Sequence, residues 1–168
     1  MILPLSLHTF PSRRNEHDSR VSKAQVAAVL TAAEVIGTMH ADLDLAVRYA
    51  QDRIAFGRPI GSFQAIKHLL ADCSLWLEMS KGIVAAAASA VGDDAPEGPQ
   101  LAHAAKSFVA ERAIDLAHGC FQVYGGIGFT WEHDQHLFLR RIAADACNYG
   151  SAGWHRRELL ASTGIEWT

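Results

Sequence analysis

Apolar residues along this chain recur at steps of three and four, the spacing of one face of an α-helix. From Ser22 onward Val26, Val29, Ala33, Ile36, Leu43, Ala46 and Val47 keep that spacing, and no proline interrupts until Pro59. The pattern predicts one long helix, with Gly37 as the place for a bend. The stretch RIAFGRPIGS, from Arg53 to Ser62, then brings two glycines and a proline together and ends the helix in a turn. In a second helix Phe63, Ile66, Leu70, Cys73, Leu77 and Val84 trace a coiled-coil-like seam, so it must pack lengthwise on a neighbour. Turn formers from Gly92 to Pro99 close it near Val91.

A third helix places Leu101, Ala105, Phe108, Ala113, Leu116, Cys120 and Val123 on one face. A fourth runs from about His133 to Tyr149, and a shorter one covers Gly153 to Ser162. Alternating strand text of useful length is missing. The expected fold is therefore all-α, an antiparallel (up-down) four-helix bundle with an additional C-terminal helix. Residues 1–20 hold two prolines and the charged run SRRNEHDSR, and read as an irregular lead-in to a bundle over 21–168.

Composition narrows the function classes. A chain of 168 residues suits one domain, and 15 basic against 18 acidic residues leave no nucleic-acid footprint or polybasic membrane patch. Cys73, Cys120 and Cys147 sit in apolar or helical text without a CxxC pair, and read as reduced core residues of a cytoplasmic protein. No run approaches the roughly 18 uninterrupted apolar residues of a membrane span, and MILPLSLHTF lacks the charged start of a signal peptide. The expected partner is a small molecule or another protein.

Two stretches carry candidate chemistry. Arg53 stands at the end of a long helix, where the helix dipole alone favours a cation and Gly57 suits the cap. Its planar fork also matches a phosphate or carboxylate. In QVYGGIGFTWE, from Gln122 to Glu132, the glycines fit a helix cap and turn, or a main chain left bare so that a ligand can approach its amides, with Gln122 adding an amide donor and acceptor. His133 and His136 have metal-like spacing but no third ligand, so no metal site is expected.

These motifs occur in a fixed order: Arg53-x-x-Phe56-Gly57, Pro59-Ile60, Phe63-Gln64, Ala71-Asp72, Ala105-Lys106, then Gln122 through Phe129 with Glu132. In that order and spacing they resemble the C-terminal helical domain of the acyl-CoA dehydrogenases, over roughly Val21 to Thr168. The resemblance implies a flavoprotein oxidoreductase in which a glutamate takes the proton alpha to a thioester while a hydride leaves the beta carbon for FAD. It also implies that the FAD is shared with a neighbouring subunit. By position Arg53 would meet the pyrophosphate, Phe56 would pack on the cofactor, and Phe63 and Gln64 would lie beside the adenosine. Gln122, Val123, Tyr124, Gly125 and Gly126 would bring side chain and backbone to the same cofactor.

Where the family carries its catalytic glutamate, this chain reads Ala146-Cys-Asn-Tyr149-Gly150, which puts Tyr149 or Gly150 at the base position. A few relatives place the base on the first helix, about seven turns before the arginine, and that position falls at or beside Ala27. A base must be titratable, so the nearest substitutes are Glu34, Asp145 and Glu158, each displaced. The family also carries two domains ahead of this one. The resemblance therefore leads to a half-site for FAD in a homo-oligomer (dimer or tetramer), or in a hetero-oligomer with a full-length acyl-CoA dehydrogenase subunit that supplies the base. The other reading is a non-catalytic oligomerisation or interaction module derived from the family.

Overall fold

The structure, a computed structural model, describes residues 20–163. The expected lead-in falls outside the described residues except for Arg20. Helix α1, Lys23–Asp52, opens on a reciprocal cap in which Ser22 Oγ accepts the Gln25 amide at 3.2 Å and Gln25 Oε1 accepts the Ser22 amide at 2.8 Å. It continues through Gly37 without a break. A two-stranded hairpin follows, β1 (Ile54–Ala55) pairing antiparallel with β2 (Arg58–Pro59), and a short 3-10 turn leads into α2, Gln64–Gly92. Helix α3, Gly98–Tyr124, carries Pro99 in its first turn, where a missing amide is no loss. A second 3-10 turn, Gly125–Phe129, then precedes α4 (Gln135–Cys147) and α5 (Ala152–Ser162).

Long-range contacts set the directions. Gln25 meets His103 near the starts of α1 and α3, and Tyr49 meets Tyr124 near their ends, so these two helices run parallel. Helix α2 is antiparallel to α3, since Gly119 abuts Cys73 while Gly98 abuts Ala90. In α4, Gln135 reaches Asp42 and Arg141 reaches Glu34, which makes it antiparallel to α1. The result is the expected up-down bundle, with α5 folded back on α3.

The seams of α2 and α3 lie largely inward, whereas on α1 Val29, Leu43 and Ala46 are buried but Val26 and Ala33 are exposed, the inward stripe passing instead through Ala32, Val35 and Met39. Nor is burial confined to one face of α3. Ala102, Ala105, Val109, Ala113, Leu116, Ala117, Cys120 and Val123 are all buried, because α1, α2, α4 and α5 all pack on this one helix. Small residues permit that crowding: a Cβ on Gly119 would stand 2.6 Å from Cys73 Sγ. Along α2, Cys73, Leu77 and Val84 are buried as the seam requires, while Phe63, Ile66 and Leu70 are half-covered. Helix α1 is long and apolar enough to cross a membrane by length and composition, yet its buried face, from Ala28 to Ala50, is part of this core.

The fourth helix is shorter at both ends than its apolar spacing predicts. At its start His133 accepts the amide of Gln135, the first helical residue, on Nδ1 at 3.1 Å. At its end Tyr149 has φ 57°, which a right-handed helix cannot contain. Cys147 is exposed and not a core residue, because Ile142 and Asp145 take the inward face and turn it outward. Below it Lys106, itself buried, donates from Nζ to the Asp145 and Ala146 carbonyls at 2.9 and 3.1 Å, pairing last-turn acceptors that would otherwise be orphaned.

Candidate functional site

Because α1 and α3 are parallel, Arg53 and Gly125 come to the same end of the bundle, where α2 also begins. Arg53 caps α1 in extended conformation and is exposed. Three residues on, Phe56 and Gly57 both have positive φ, 53° and 77°. They form the tip of the hairpin in the twist-matched turn that favours Asn-Gly, so phenylalanine is strained there. Its ring is 96% exposed. Phe63 stands edge-on to it at 6.2 Å, with the Arg58 guanidinium 4.1 Å over the Phe63 ring. Gln64 is exposed on the first turn of α2.

Gly125 ends α3 with φ 61° and ψ −139°, a conformation that a side chain resists. A Cβ on Gly125 or Gly126 would meet nothing within 4 Å, so the main chain borders open space at both. Gly128 is different, since its Cβ would stand 3.1 Å from that of Tyr124; it is glycine for packing. Gln122 points outward, whereas Val123 and Tyr124 are buried. Tyr124 stacks on Tyr49 at 4.9 Å and on His133 at 4.2 Å, and burial pushes its phenol pKa up. Beside this end lies a depression of about 350 Å³ walled by His118, Phe121, Gln122, Gly125, Phe129 and Leu139. Ile54, Phe56, Ile127, Phe129 and Trp131 leave much of their apolar surface uncovered here.

Tyr149, Gly150 and the start of α1 belong to the opposite end, about 36 Å away along a helix rising 1.5 Å per residue from Gln25 to Tyr49. A cavity of about 210 Å³ is lined by Ser22, Ala24, Gln25, His103, Tyr149, Trp154, His155 and Glu158. Of the positions at which the resemblance puts a base, Tyr149 lines this space, and Ala24 and Gln25, within a turn of Ala27, line it as well. Gly150 has φ 109°, and its Cβ would stand 2.6 Å from Trp154 Cε3 and 2.9 Å from His155 Nε2. No carboxylate fits there. Of the displaced acids, Glu34 pairs with Arg141. Asp145 is buried, 2.8 Å from Arg141 Nε and accepting from Asn148 Nδ2 at 3.1 Å. Glu158 alone of the three borders the cavity.

Sequence reasoning did not find His103, His155 or Gln25, whose contacts span 52 and 78 positions. It also passed over Asp42, which is fully buried in the middle of the bundle and accepts from Gln135 Nε2 at 3.0 Å. Desolvation pushes that carboxyl up to about 7. Asp42 Oδ1 and Gln135 Oε1 have no hydrogen-bond partner. Each His of the His133-x-x-His136 pair bonds local backbone, and among the described residues no group of three or more ligands could hold a metal ion.

Comparison with known proteins turns this geometry into a kinship. Residues 21–163 match the family profile described as "Acyl-CoA dehydrogenase, C-terminal domain". Acyl-CoA dehydrogenase FadE34 of Mycobacterium tuberculosis is 46% identical over 146 residues, which is 83% of this chain and 20% of that protein. Acyl-CoA dehydrogenase IpdE2 of the same organism is 42% identical over 123 residues, 73% of this chain and 37% of its own. The chain thus spans between a fifth and two fifths of the length of these relatives. Among solved structures, the Tcur3481-Tcur3483 steroid ACAD, as a variant, superposes with a TM-score of 0.78 at 30% identity, covering 83% of this chain and 39% of that one. An acyl-CoA dehydrogenase from Geobacillus kaustophilus shares the fold with a TM-score of 0.81 at 20% identity, over 85% of this chain and 37% of its own.

Proposed function

This chain belongs to the acyl-CoA dehydrogenase family, as a form of its C-terminal helical domain, and on that premise we propose that it furnishes half of an FAD site in an assembly that α,β-dehydrogenates acyl-CoA thioesters. The observation that carries the reading is the meeting, at one end of the bundle, of an exposed guanidinium, an open glycine main chain and uncovered aromatic rings. That set suits a ligand that is anionic along one part and aromatic along another. Arg53 would grip the pyrophosphate through two parallel N–H donors, and Gly125 and Gly126 would let backbone amides come close. Phe56 and Phe63 would offer ring surface, with Gln64 and Gln122 as hydrogen-bond partners. Val123 and Tyr124 would act through main chain and shape, since their side chains face the core. When bound, FAD supplies the hydride acceptor.

The proton-abstracting carboxylate comes from another chain, because neither Tyr149 nor the sealed Gly150 can provide one. This favours a hetero-oligomer with a full-length subunit over a homo-oligomer, and the Tcur3481-Tcur3483 steroid ACAD is itself named for two components. The assembly is cytoplasmic. Half a site forfeits contacts without a matching reduction in the entropy cost of holding the ligand, so the chain alone binds FAD poorly.

Flavin titration of the chain alone and after co-expression with an encoded acyl-CoA dehydrogenase partner tests this. A yellow complex that reduces an acceptor with an acyl-CoA is expected. A colourless, inert complex would instead establish the second reading, a non-catalytic oligomerisation module, which the missing carboxylate also favours.

A further inference from the structure

The flavin reading leaves a buried histidine pair unused where α5 meets the body of the bundle. His103 of α3 and His155 of α5 approach with their Nδ1 atoms 2.8 Å apart. Two further contacts fix the protons. A carbonyl can only accept, so His155 donates from Nε2 to the Tyr149 oxygen, at 3.0 Å. An amide nitrogen can only donate, so His103 accepts at Nε2 from Gln25, at 3.2 Å. Gln25 is oriented for this by its own Oε1, which the Ser22 cap already holds. With one proton on each neutral ring, His103 donates from Nδ1 and His155 accepts there. Every ring nitrogen is then used once.

A further proton has no place to go. Both free lone pairs already accept, so charging either ring sets one N–H against another in a poorly hydrated space. The surrounding charges differ by element. Lys106 of α3 opposes a charge on His155, Glu158 of α5 favours one on His103, α1 contributes the neutral Gln25, and Asp145 of α4 acts on Lys106. Burial is the largest influence on both rings and holds them below the ordinary histidine range, His155 at about 4.

The chain of bonds fastens a strained turn. Tyr149 has φ 57° and Gly150 φ 109°, and the Trp154 and His155 rings press on Gly150. Tyr149 stays in a region that a side chain avoids, with its carbonyl held by His155. We propose that His103 and His155 form a proton-operated latch: neutral, it straps α5 and the 148–151 turn to α3, and on taking up one proton it releases them and opens the cavity beside Gln25, Trp154 and Glu158.

The direction with pH follows from linkage. His155 has a folded pKa of about 4 against 6.5 unfolded, so the released form takes the proton first. Fastening is complete above pH 6.5, weakens as the pH falls towards 4, and below that is fully reduced.

Hydrogen exchange and nitrogen NMR on the full chain test the latch. At pH 7.5, His103 should carry its proton on Nδ1 and His155 on Nε2. Between pH 7.5 and 5, after correction for intrinsic rates, α5 amides should lose protection roughly thirtyfold while Met39 and Leu116 keep theirs. In His155→Gln the amide retains both bonds but takes no proton, so much of that dependence should vanish. Should this variant not fold, Glu158→Gln, on the surface, removes a charge that eases a proton onto His103 in the fastened form, and should deepen the loss of protection at low pH. Opposite tautomers, pH-independent protection of α5, a His155→Gln dependence as steep as the parent's, or a loss in Glu158→Gln no deeper than the parent's would each overturn the proposal.

Discussion

At the Arg53 end of the bundle, polar and aromatic groups are left uncovered: a guanidinium faces solvent, a phenylalanine sits strained at a hairpin tip, and glycine amides border open space. At the His103 end, groups of equal chemical capacity satisfy one another, ring nitrogen to ring nitrogen and ring to carbonyl, with a glycine sealed beneath two rings. Both ends hold residues in left-handed backbone, which costs stability wherever it occurs. The difference lies in what the strain supports. At one end it presents surface to something outside the chain, and at the other it closes the chain on itself.

The sharpest way to break this contrast is to force a carboxylate into the closed end. Gly150→Glu should cost more than about 4 kcal/mol in urea unfolding, combining positive-φ strain with overpacking; a variant of parental stability would mean that the seal is not there. The middle of the bundle gives a control tied to neither end. Asp42 is protonated in the fold up to about pH 7 and unfolded only to about 3.8, so stability present below 3.8 is lost as the pH rises through 7. Asp42→Asn should therefore stabilise at pH 8 by up to about 4 kcal/mol, at 1.4 per unit, and by little at pH 4; equal gains at both would reject the titration.

At the open end the effects should fall on binding. In a co-expressed complex Arg53→Met should weaken flavin retention about tenfold, near 1.4 kcal/mol, while the melting temperature of the isolated chain stays put. A drop in the chain's own stability would show that Arg53 is structural. Smallest of all, Phe56→Asn should raise stability by about 0.5–1 kcal/mol, because asparagine suits the first central position of that turn, and should lose ring contact with any ligand. Loss of stability would mean that the exposed ring is packed after all.

Much of the bundle was legible because its signal is local. The seam through Cys73, Leu77 and Val84 is read directly from spacing and burial follows it, whereas on α1 the buried stripe runs through Ala32 and Val35, one position off the expected Ala33 and Ile36. The ends of α4 were not legible, since they depend on His133 reaching forward to the Gln135 amide and on the left-handed Tyr149. The hairpin escaped notice because strands of two residues have no period to detect. Of the candidate site, the residue types were visible and their gathering at one end follows from parallel α1 and α3, which the alternation of an up-down bundle implies. The histidine pair was illegible for a different reason. His103 lies in alanine-rich text and His155 on a short polar helix, and only the folding back of α5 brings them together.

The alternation of the four long elements has an electrical consequence. The open end gathers the carboxyl termini of α1 and α3 with the amino termini of α2 and α4, so partial charges of opposite sign offset there. Attraction for an anion then rests on guanidinium groups in water, whose field fades within about 10 Å at 0.1 M salt. A phosphate-bearing ligand held here will leave readily as ionic strength rises, unless a partner covers it.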